Sequence, residues 1–278
     1  MCKLNIIFIF YIISYVCAKE IILSTGIDDW TDDQLHDQYN KFKYYKSLNL
    51  LTHASILTYN LQENGTIGVY TSENLYSAED YQQKIKQELI LYAIPCLYCD
   101  ATIGNCANLN SRLENLYKNN ISVFINDVID RALKYEWDGY FVDFEPDTEV
   151  DIEALTDFLI EWSIELNKIN LPLYLWIGSS TKYDMEKLFN TTNIFLVTMD
   201  TYSQDYDEYV QTLSNLQIQS NNKTKIGAGF LTDYSIDVAD DISQVINWSR
   251  FVGVKILSLY ASNIPPQWFE QLSHFLNF

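Results

Sequence analysis

The sequence predicts a single (β/α)8 barrel, and three observations lead to that fold class. Eight short runs rich in Ile, Leu, Val and Tyr alternate with longer amphipathic stretches, as in repeated βα units around a parallel sheet. The 278 residues, 48% of them hydrophobic, are enough for one large core. No stretch rich in Pro, Gly or Ser divides the chain. We therefore expect one barrel domain over residues 19–278, preceded by a leader over residues 1–18.

The apolar runs are the predicted strands, and polar or turn-forming residues bound each of them. In chain order they are residues 20–24, 51–59, 91–98, 139–144, 171–178, 194–198, 225–230 and 253–260. The clearest predicted helices are residues 121–135, 151–168, 205–215 and 266–276. Asn64-Gly65, between Leu61 and Val69, predicts a hairpin turn. An open doubly wound sheet is the main rival, but no glycine-rich phosphate loop follows the first strand.

The first 18 residues have the pattern of a secretory signal peptide. Lys3 gives a positive start, residues 6–16 are apolar, and Cys17-Ala18 resembles a cleavage site. The apolar stretch is too short to span a bilayer, and no later segment is long and apolar enough. Five glycosylation sequons point to the same route, and they begin at Asn64, Asn120, Asn190, Asn222 and Asn247. We expect a secreted or lumenal protein, extracellular or in a lysosome-like compartment.

The charge and the histidines exclude several classes of function. A formal net charge of −19 disfavours nucleic acid and anionic membranes as partners but suits a neutral substrate such as an amido sugar. Of the three histidines, His36, His53 and His274, none lies near a Ser or Cys nucleophile motif, so triad chemistry is disfavoured. We expect no cofactor and no metal, and we expect a monomer.

Three cysteines remain once the leader is removed: Cys96, Cys99 and Cys106. In an oxidising compartment one pair is expected to close, either Cys99 with Cys106 or Cys96 with Cys106, and one thiol stays free. A metal site at Cys96-x-x-Cys99 is the functional alternative. It is disfavoured because a structural zinc site needs four ligands and no histidine lies nearby.

The segment Trp137-Asp-Gly-Tyr-Phe-Val-Asp-Phe-Glu-Pro146 coincides with the fourth predicted strand. Side chains alternate along a strand, so Phe141, Asp143 and Glu145 should share one face, and Tyr140, Val142 and Phe144 the other. The second set is expected to face the surrounding helices. The two carboxylates would then point into the barrel at the carboxyl end of their strand, where barrel enzymes place their active sites.

The spacing of the two acids suggests a division of roles. Residues two apart on a strand lie roughly 6.6 Å apart at Cα, so the carboxyl groups can approach each other. Like charges at that separation raise one pKa, which is what a general acid needs near neutral pH. Glu145, nearer the strand end, is the expected proton donor, and Asp143 is expected to orient and stabilise. Strand-end acids with a purely structural role are the alternative.

The pattern Asp138-Gly-x-x-x-Asp143-x-Glu145 resembles the fourth-strand signature of glycoside hydrolase family 18, which comprises chitinases, chitobiases and endo-β-N-acetylglucosaminidases. The resemblance implies that the N-acetyl carbonyl of the substrate is the nucleophile. It also implies that Glu145 is the acid and then the base, and that Asp143 polarises the acetamido group. The expected partner is an oligosaccharide or glycan that contains β-linked N-acetylglucosamine.

The chain departs from the family pattern at three places. Phe141 stands where the family usually has an acid or amide, so Asp143 lacks a deeper partner. In the sixth strand the family commonly has Met-x-Tyr-Asp with the Tyr on the acetamido group, whereas this chain has Met199-Asp-Thr-Tyr202. Tyr202, Asp200 and Met199 are nevertheless expected to line the site. In the eighth strand Leu257 stands at the place expected for a sugar-supporting Trp, and the alternative stacking faces are Trp176 and Tyr260.

Three functions are compatible with these residues. The first is a retaining glycosidase that acts on chitin fragments or on the core of N-linked glycans, which the presence of Glu145 favours. The second is a chitinase-like lectin without turnover, which Phe141 and Leu257 favour. The third is a barrel glycosidase with a true carboxylate nucleophile on another strand. Packing alone is the alternative role for Tyr202 and Trp176, and a loop cap for Asp200.

Overall fold

Ten strands and eight α-helices form the described part of the chain. The computed structural model describes residues 19–25, 31–71, 77–100, 108–146, 149–178, 183–191, 193–199, 206–221, 225–231, 254–260 and 263–277. The strands are β1 Glu20–Thr25, β2 His53–Leu61, β3 Ile67–Val69, β4 Tyr92–Ala93, β5 Cys96–Asp100, β6 Tyr140–Glu145, β7 Leu173–Ile177, β8 Ile194–Met199, β9 Ile226–Leu231 and β10 Ile256–Tyr260.

The helices follow the strands in the manner of βα units. They are α1 Asp32–Ser47, α2 Ala78–Leu89, α3 Leu109–Asn115, α4 Ile121–Tyr135, α5 Ile152–Lys168, α6 Met185–Phe189, α7 Tyr206–Ser220 and α8 Phe269–Asn277. A π-helical turn, Leu116–Asn120, joins α3 to α4, and a 3-10 turn, Pro266–Trp268, precedes α8. Several helices begin at a side-chain cap, such as Asp151 on α5 and Asp184 on α6, which satisfies backbone N–H groups of the first turn.

Eight parallel strands close into a barrel. They run in the order β1, β2, β5, β6, β7, β8, β9 and β10, and β10 pairs with β1 to complete the circle. The closed sheet confirms the predicted (β/α)8 barrel, and the open doubly wound alternative is wrong. In the described residues no helix is both apolar enough and long enough to cross a bilayer.

Each of the eight predicted strands corresponds to one barrel strand, with one interruption. The predicted run over residues 91–98 is divided into β4 and β5, because Pro95 lies between them and has no N–H to donate to a ladder. The carbonyl of Pro95 instead accepts from the N–H of Phe141 at 3.0 Å. The predicted helix over residues 205–215 is longer than expected and continues to Ser220.

The buried apolar side chains form two clusters on opposite sides of the barrel wall. The larger cluster lies between the strands and the helices and contains Tyr140, Val142 and Phe144. The smaller cluster fills the lumen, and its buried members are Ile22, Ile94, Cys96, Phe141, Tyr174, Trp176, Val197 and Ile256. The lumen is therefore a packed core rather than a pore, as in other barrels of this type.

The predicted hairpin turn after the second strand is confirmed. β2 and β3 are antiparallel, with Leu61 opposite Ile67, and the N–H of Gly65 donates to the carbonyl of Gln62 at 2.9 Å. Gly65 has a positive φ of 79°, which favours glycine. A Cβ at this position would lie 2.5 Å from the backbone nitrogen of Leu116, so the hairpin packs directly against the π-helical turn.

A buried carboxylate joins two helices to the barrel wall. Glu79 of α2 accepts hydrogen bonds from the hydroxyls of Tyr59 at 2.9 Å and Tyr135 at 3.0 Å. Arg131 of α4 pairs with the same carboxylate at 2.5 Å. Because each carboxylate oxygen has a donor, the charge can be buried without an unpaired group. The network fixes α2 and α4 against β2.

A second carboxylate, Glu20, lies at the amino end of the lumen. It is on the same face of β1 as Ile22, and its Oε2 accepts from the hydroxyl of Tyr174 at 2.9 Å. Burial raises the pKa of Glu20 to about 7, although the hydrogen bond from Tyr174 opposes the rise. The folded state therefore holds the Glu20 proton more strongly than an unfolded chain does.

We expect Glu20→Gln to remove a pH-dependent loss of stability. The folded pKa of about 7 exceeds the ordinary value of 4.5, so the stabilising contribution is complete below pH 4.5 and is lost as the pH rises towards 7. The shift corresponds to about 3 kcal/mol in the free energy of unfolding. Chemical denaturation of wild type and Glu20→Gln from about pH 4 to about pH 8 measures this change in the free energy of unfolding.

The matched control is Glu161→Gln, which changes an exposed carboxylate on α5. This variant should retain the wild-type dependence of stability on pH. If Glu20→Gln also kept the wild-type dependence of the free energy of unfolding on pH, the attribution of this dependence to the raised pKa of Glu20 would be incorrect.

Candidate active site

The inward side chains of β6 run from the closed lumen to solvent. Phe141 is fully buried, Asp143 is half-buried and Glu145 is exposed. Since Phe141 belongs to the lumen cluster, the alternation of the strand gives Asp143 and Glu145 the same orientation. The two carboxylates therefore lie at the mouth of the barrel, one above the other, on an apolar floor.

The outward side chains of β6 confirm this orientation. Tyr140, Val142 and Phe144 are buried among the side chains between barrel and helices, as predicted. The hydroxyl of Tyr140 donates to the carbonyl of Val128 in α4 at 2.6 Å, and its ring lies 5.4 Å from that of Trp162 in α5. These contacts fix which face of β6 looks inward.

The beginning of the motif is structural. Asp138 Oδ2 accepts from the N–H of Ala93 and from Lys86 Nζ, each at 2.8 Å, at the amino end of the barrel. Gly139 follows because a Cβ there would lie 3.0 Å from the carbonyl oxygen of Pro172. Asp138 and Gly139 thus set the entry of β6 and lie far from the two acids.

Lumen residues of β5 lie beside the Asp143 carboxylate. Cys96 of β5 is a lumen residue, and its pKa is raised first by burial and then by the negative charge of Asp143. In the strand register Tyr98, also on the lumen face of β5, is opposite Asp143. The lower wall of the site is therefore formed by β5 as well as by β6.

A line of aromatic rings forms the floor beneath the acids. The ring of Phe141 stacks on Tyr174 at 5.6 Å and meets Trp176 edge-on at 5.2 Å. Trp176 in turn meets Tyr260 edge-on at 5.6 Å. Trp176 is only 6% exposed, whereas Tyr260 is half-buried at the carboxyl end of β10. Both predicted stacking residues therefore face the lumen, and Tyr260 presents more of its surface.

The position expected for a sugar-supporting ring in the eighth barrel strand is wrong. Leu257 packs in the outer cluster and is fully buried there, so it does not occupy a place where a ring could support a sugar. The reason is strand alternation, since Ile256 and Tyr260 of β10 face the lumen and Leu257 faces the helices. Tyr260 is the aromatic residue on the correct face.

The structure leaves part of the predicted site untested. Asp200 and Tyr202 lie outside the described residues, and Met199 is described only as the last backbone position of β8. Their expected contacts with substrate remain predictions.

Tyr183, between β7 and α6, is a buried residue near the two acids that the sequence did not reveal, and it packs in the outer cluster. Its side chain is 7% exposed, and its hydroxyl has no hydrogen-bond partner among the described residues. Burial raises its pKa most, and the charges of Asp143 and Glu145 raise it further. The N–H of Asp184, the next residue, donates to the hydroxyl of Thr156 in α5 at 2.9 Å, which fixes this segment against α5. Only the nearby charges of Asp143 and Glu145 distinguish Tyr183, because no local sequence pattern surrounds it.

The cysteines resolve one open alternative. Cys99 is disulfide-bonded and Cys96 is a free, buried thiol, so the pairing through Cys96 is wrong. The partner of Cys99 lies outside the described residues. A sulfur in a disulfide is not a thiolate ligand, which excludes a metal site at Cys96-x-x-Cys99. Within the described ranges no three His, Cys, Asp or Glu side chains are grouped as metal ligands.

Comparison with known proteins gives structural but no sequence relatives. No protein-family model matches the chain, and no curated protein matches it. Among solved structures it is similar to a chitinase of Chromobacterium violaceum, with a TM-score of 0.72 and 14% identity over 93% of this chain and 99% of the other.

Two further solved structures show the same likeness. The spore cortex-lytic enzyme SleL of Bacillus megaterium has a TM-score of 0.68 and 13% identity, covering 92% of this chain and 73% of its own. A catalytic domain of the Ostrinia furnacalis Group II chitinase, in complex with penta-N-acetylchitooctaose, has a TM-score of 0.56 and 14% identity, covering 77% and 64%. At these identities the likeness shows a shared barrel fold.

We expect Phe141→Asp to destabilise the protein strongly. The substitution restores an acid below Asp143, but it removes the ring between Tyr174 and Trp176 and leaves a charge without a partner in the lumen core. Loss of the ring alone is expected to lower the free energy of unfolding by about 3–5 kcal/mol. Urea denaturation of the variant and of wild type measures this difference. The control Phe141→Leu keeps the site apolar and should cost less than half as much. Equal stability of Phe141→Asp and wild type would contradict the packed floor.

Proposed function

We propose that this protein is a glycoside hydrolase of the family 18 type, which cleaves β-linked N-acetylglucosamine glycans with Glu145 as the general acid and base. The observation that supports this proposal most directly is that Asp143 and Glu145 lie on the lumen face of β6. Asp143 is half-buried there and Glu145 is exposed. The barrel likeness to chitinases supports the proposal, because the family-like motif falls on the fourth strand of a fold shared with them.

The proposed mechanism uses the acetamido group of the substrate itself. Glu145 donates a proton to the glycosidic oxygen while the acetamido carbonyl oxygen attacks the anomeric carbon, so the leaving sugar departs as an alcohol. Asp143 accepts a hydrogen bond from the acetamido N–H and stabilises the oxazolinium ion. Glu145, now ionised, takes a proton from water as the water oxygen attacks the anomeric carbon. The bond from that carbon to the acetamido oxygen breaks, which regenerates the acetamido group and gives net retention.

The aromatic floor supports a sugar substrate. Tyr260 offers a partly exposed ring at the carboxyl end of β10, and Trp176 supports it from below, edge to face. Aromatic faces bind the apolar faces of pyranose rings through dispersion and exclusion of water. Asp200, Tyr202 and Met199 are proposed to complete the binding of the acetamido sugar.

We also propose that the protein is secreted or lumenal. The signal-like residues 1–18 and the sequons support this route, and so does the disulfide at Cys99, which an oxidising compartment favours. Chitin fragments and the core of N-linked glycans are the two substrate sources that fit.

A chitinase-like lectin is the second candidate, and Phe141 is the observation that favours it. This ring occupies the position below Asp143 and provides no group with which Asp143 could exchange a proton. A lectin would keep the groove and its aromatic floor without turnover.

We expect Glu145→Gln to abolish most hydrolysis of a fluorogenic di-N-acetylchitobioside. Loss of the general acid and base lowers kcat by roughly 10²–10⁴-fold, while binding of chitooligosaccharides is retained. The control Glu153→Gln alters an exposed acid on α5 and should leave activity unchanged. Binding without hydrolysis in both wild type and Glu145→Gln would favour the lectin. Equal cleavage of sugars without the N-acetyl group would favour a carboxylate nucleophile.

We expect Tyr183→Phe to lower kcat by about 10-fold with little change in KM, because a buried hydroxyl that is coupled electrostatically to the two carboxylates would be lost. A nearby O–H dipole stabilises an ionised carboxylate, so its removal raises the carboxylate pKa and moves the acid limb of the pH–rate profile to higher pH.

Tyr117→Phe is the matched control for Tyr183→Phe. The hydroxyl of Tyr117 is also buried without a described partner, but its pKa is raised by burial and then by Asp151 and Tyr183, not by Asp143 or Glu145. This variant should keep the wild-type pH–rate profile. An identical loss of kcat in both variants, without a displaced acid limb, would assign Tyr183 to packing only.

A further inference from the structure

The β2–β3 hairpin is held on the helical segment below it by three side-chain donors. Arg112 Nη1 donates to the carbonyl of Leu61 at 2.5 Å, Asn115 Nδ2 to that of Glu63 at 2.8 Å, and Asn120 Nδ2 to that of Asn64 at 2.6 Å. Two of the five sequons, those at Asn64 and Asn120, meet at this contact. Their side chains nevertheless have opposite surroundings.

Asn64 is exposed at the tip of the hairpin. Its Oδ1 accepts from the backbone N–H of Thr66 at 3.1 Å and from the Thr66 hydroxyl at 2.7 Å. Its Nδ2 makes no hydrogen bond within the described residues. The amide nitrogen of this sequon therefore faces outward, while the hydroxyl of the third sequon residue orients the amide oxygen.

Space is available beside Asn64. An open polar cavity of about 590 Å³ borders it, lined by Asn60, Gln62, Glu63, Asn64, Thr66 and Arg112. A volume of this size is in the range that holds a small-molecule ligand, so the space beside Asn64 is large enough for a first sugar ring.

Asn120 is in the opposite situation. It is half-buried and ends the π-helical turn, directly before α4. Its Nδ2 is the donor to Asn64, and at the same interface Gly65 is so close to Leu116 that a single Cβ would not fit. A sugar on Asn120 would have to occupy the space that the hairpin fills, which would separate the hairpin from the helices.

We propose that Asn64 is an N-glycosylation site of the folded protein and that Asn120 is not. In the modification, Asn64 Nδ2 forms a bond to the anomeric carbon of a lipid-diphosphate-linked oligosaccharide. The bond between that carbon and the diphosphate breaks, the lipid diphosphate leaves, and the amide nitrogen loses one proton. The glycan lies on the outer rim beyond the carboxyl end of β2.

This inference rests on the proposed entry into the secretory pathway but not on hydrolysis. The test is therefore a mass measurement on the full chain secreted from cultured animal cells. In one version the chain keeps residues 1–18, and in the other a leader of known function replaces them. Enzymatic release of N-glycans in heavy-oxygen water converts each occupied Asn to a labelled Asp, which peptide mass spectrometry locates.

We expect the label at Asn64 and its absence at Asn120. Thr66→Ala removes the first sequon and Ser122→Ala the second, and neither changes the asparagine itself. Thr66→Ala should lose the mass of one glycan, Thr66→Ser should retain it, and Ser122→Ala should lose none. The three substitutions thus separate occupancy of the sequon from a change in the fold of the hairpin.

Three results would overturn the proposal. The first is an unmodified Asn64 in protein secreted with the replacement leader. The second is a glycan on Asn120 in secreted protein that has the wild-type unfolding midpoint. The third is equal loss of mass in Thr66→Ala and Ser122→Ala. Glycosylation of Asn64 only behind the replacement leader would support the site and contradict the proposed leader, and activity enters none of these outcomes.

Discussion

Alternation of side chains along β6 within a closed barrel is the constraint on which the site depends. A closed sheet has only two environments, so each side chain of β6 lies either in the lumen or against the helices. Tyr140, Val142 and Phe144 fill the outer environment with apolar volume, and Tyr140 is additionally bonded to α4. A slip of one residue would bury Asp143 and Glu145 against those helices, at the cost of two charges without partners.

The packed lumen determines how deep the site can be. The ring of Tyr174 stacks on Phe195 at 5.4 Å and on Phe141, and its hydroxyl ends on Glu20 at the amino end of the barrel. The lumen below Phe141 is therefore filled by side chains, and the open part of the barrel lies at the mouth. A carboxylate on such a floor interacts more strongly with its neighbours than one in water does. Position 141 holds no acid, and the described groups coupled to Asp143 include Cys96 of the lumen and buried Tyr183.

The sequence predicts the fold well because its signals are periodic and local. The apolar runs locate all eight barrel strands, and the amphipathic stretch over residues 151–168 locates α5, since both patterns depend on neighbouring residues only. Leu257 was aligned incorrectly with the position of a sugar-supporting Trp, because the face on which a residue lies depends on strand phase and a shift of one residue changes it. Tyr183 was missed because its neighbours Asp143 and Glu145 are about forty positions away in the chain and adjacent only once the barrel has closed.

The family-like motif combines residues with a structural role and residues that can take part in chemistry. Asp138 lies seven positions before Glu145, about 23 Å away along an extended strand, so the two cannot contact the same sugar ring. Its bonds to Ala93 and Lys86, with the close approach of Gly139 to Pro172, secure the entry of β6 in any barrel of this geometry. A lectin would need that entry as much as an enzyme does. The chemical information in the motif therefore resides in Asp143 and Glu145, and turnover that depends on Glu145 is what separates the two functions.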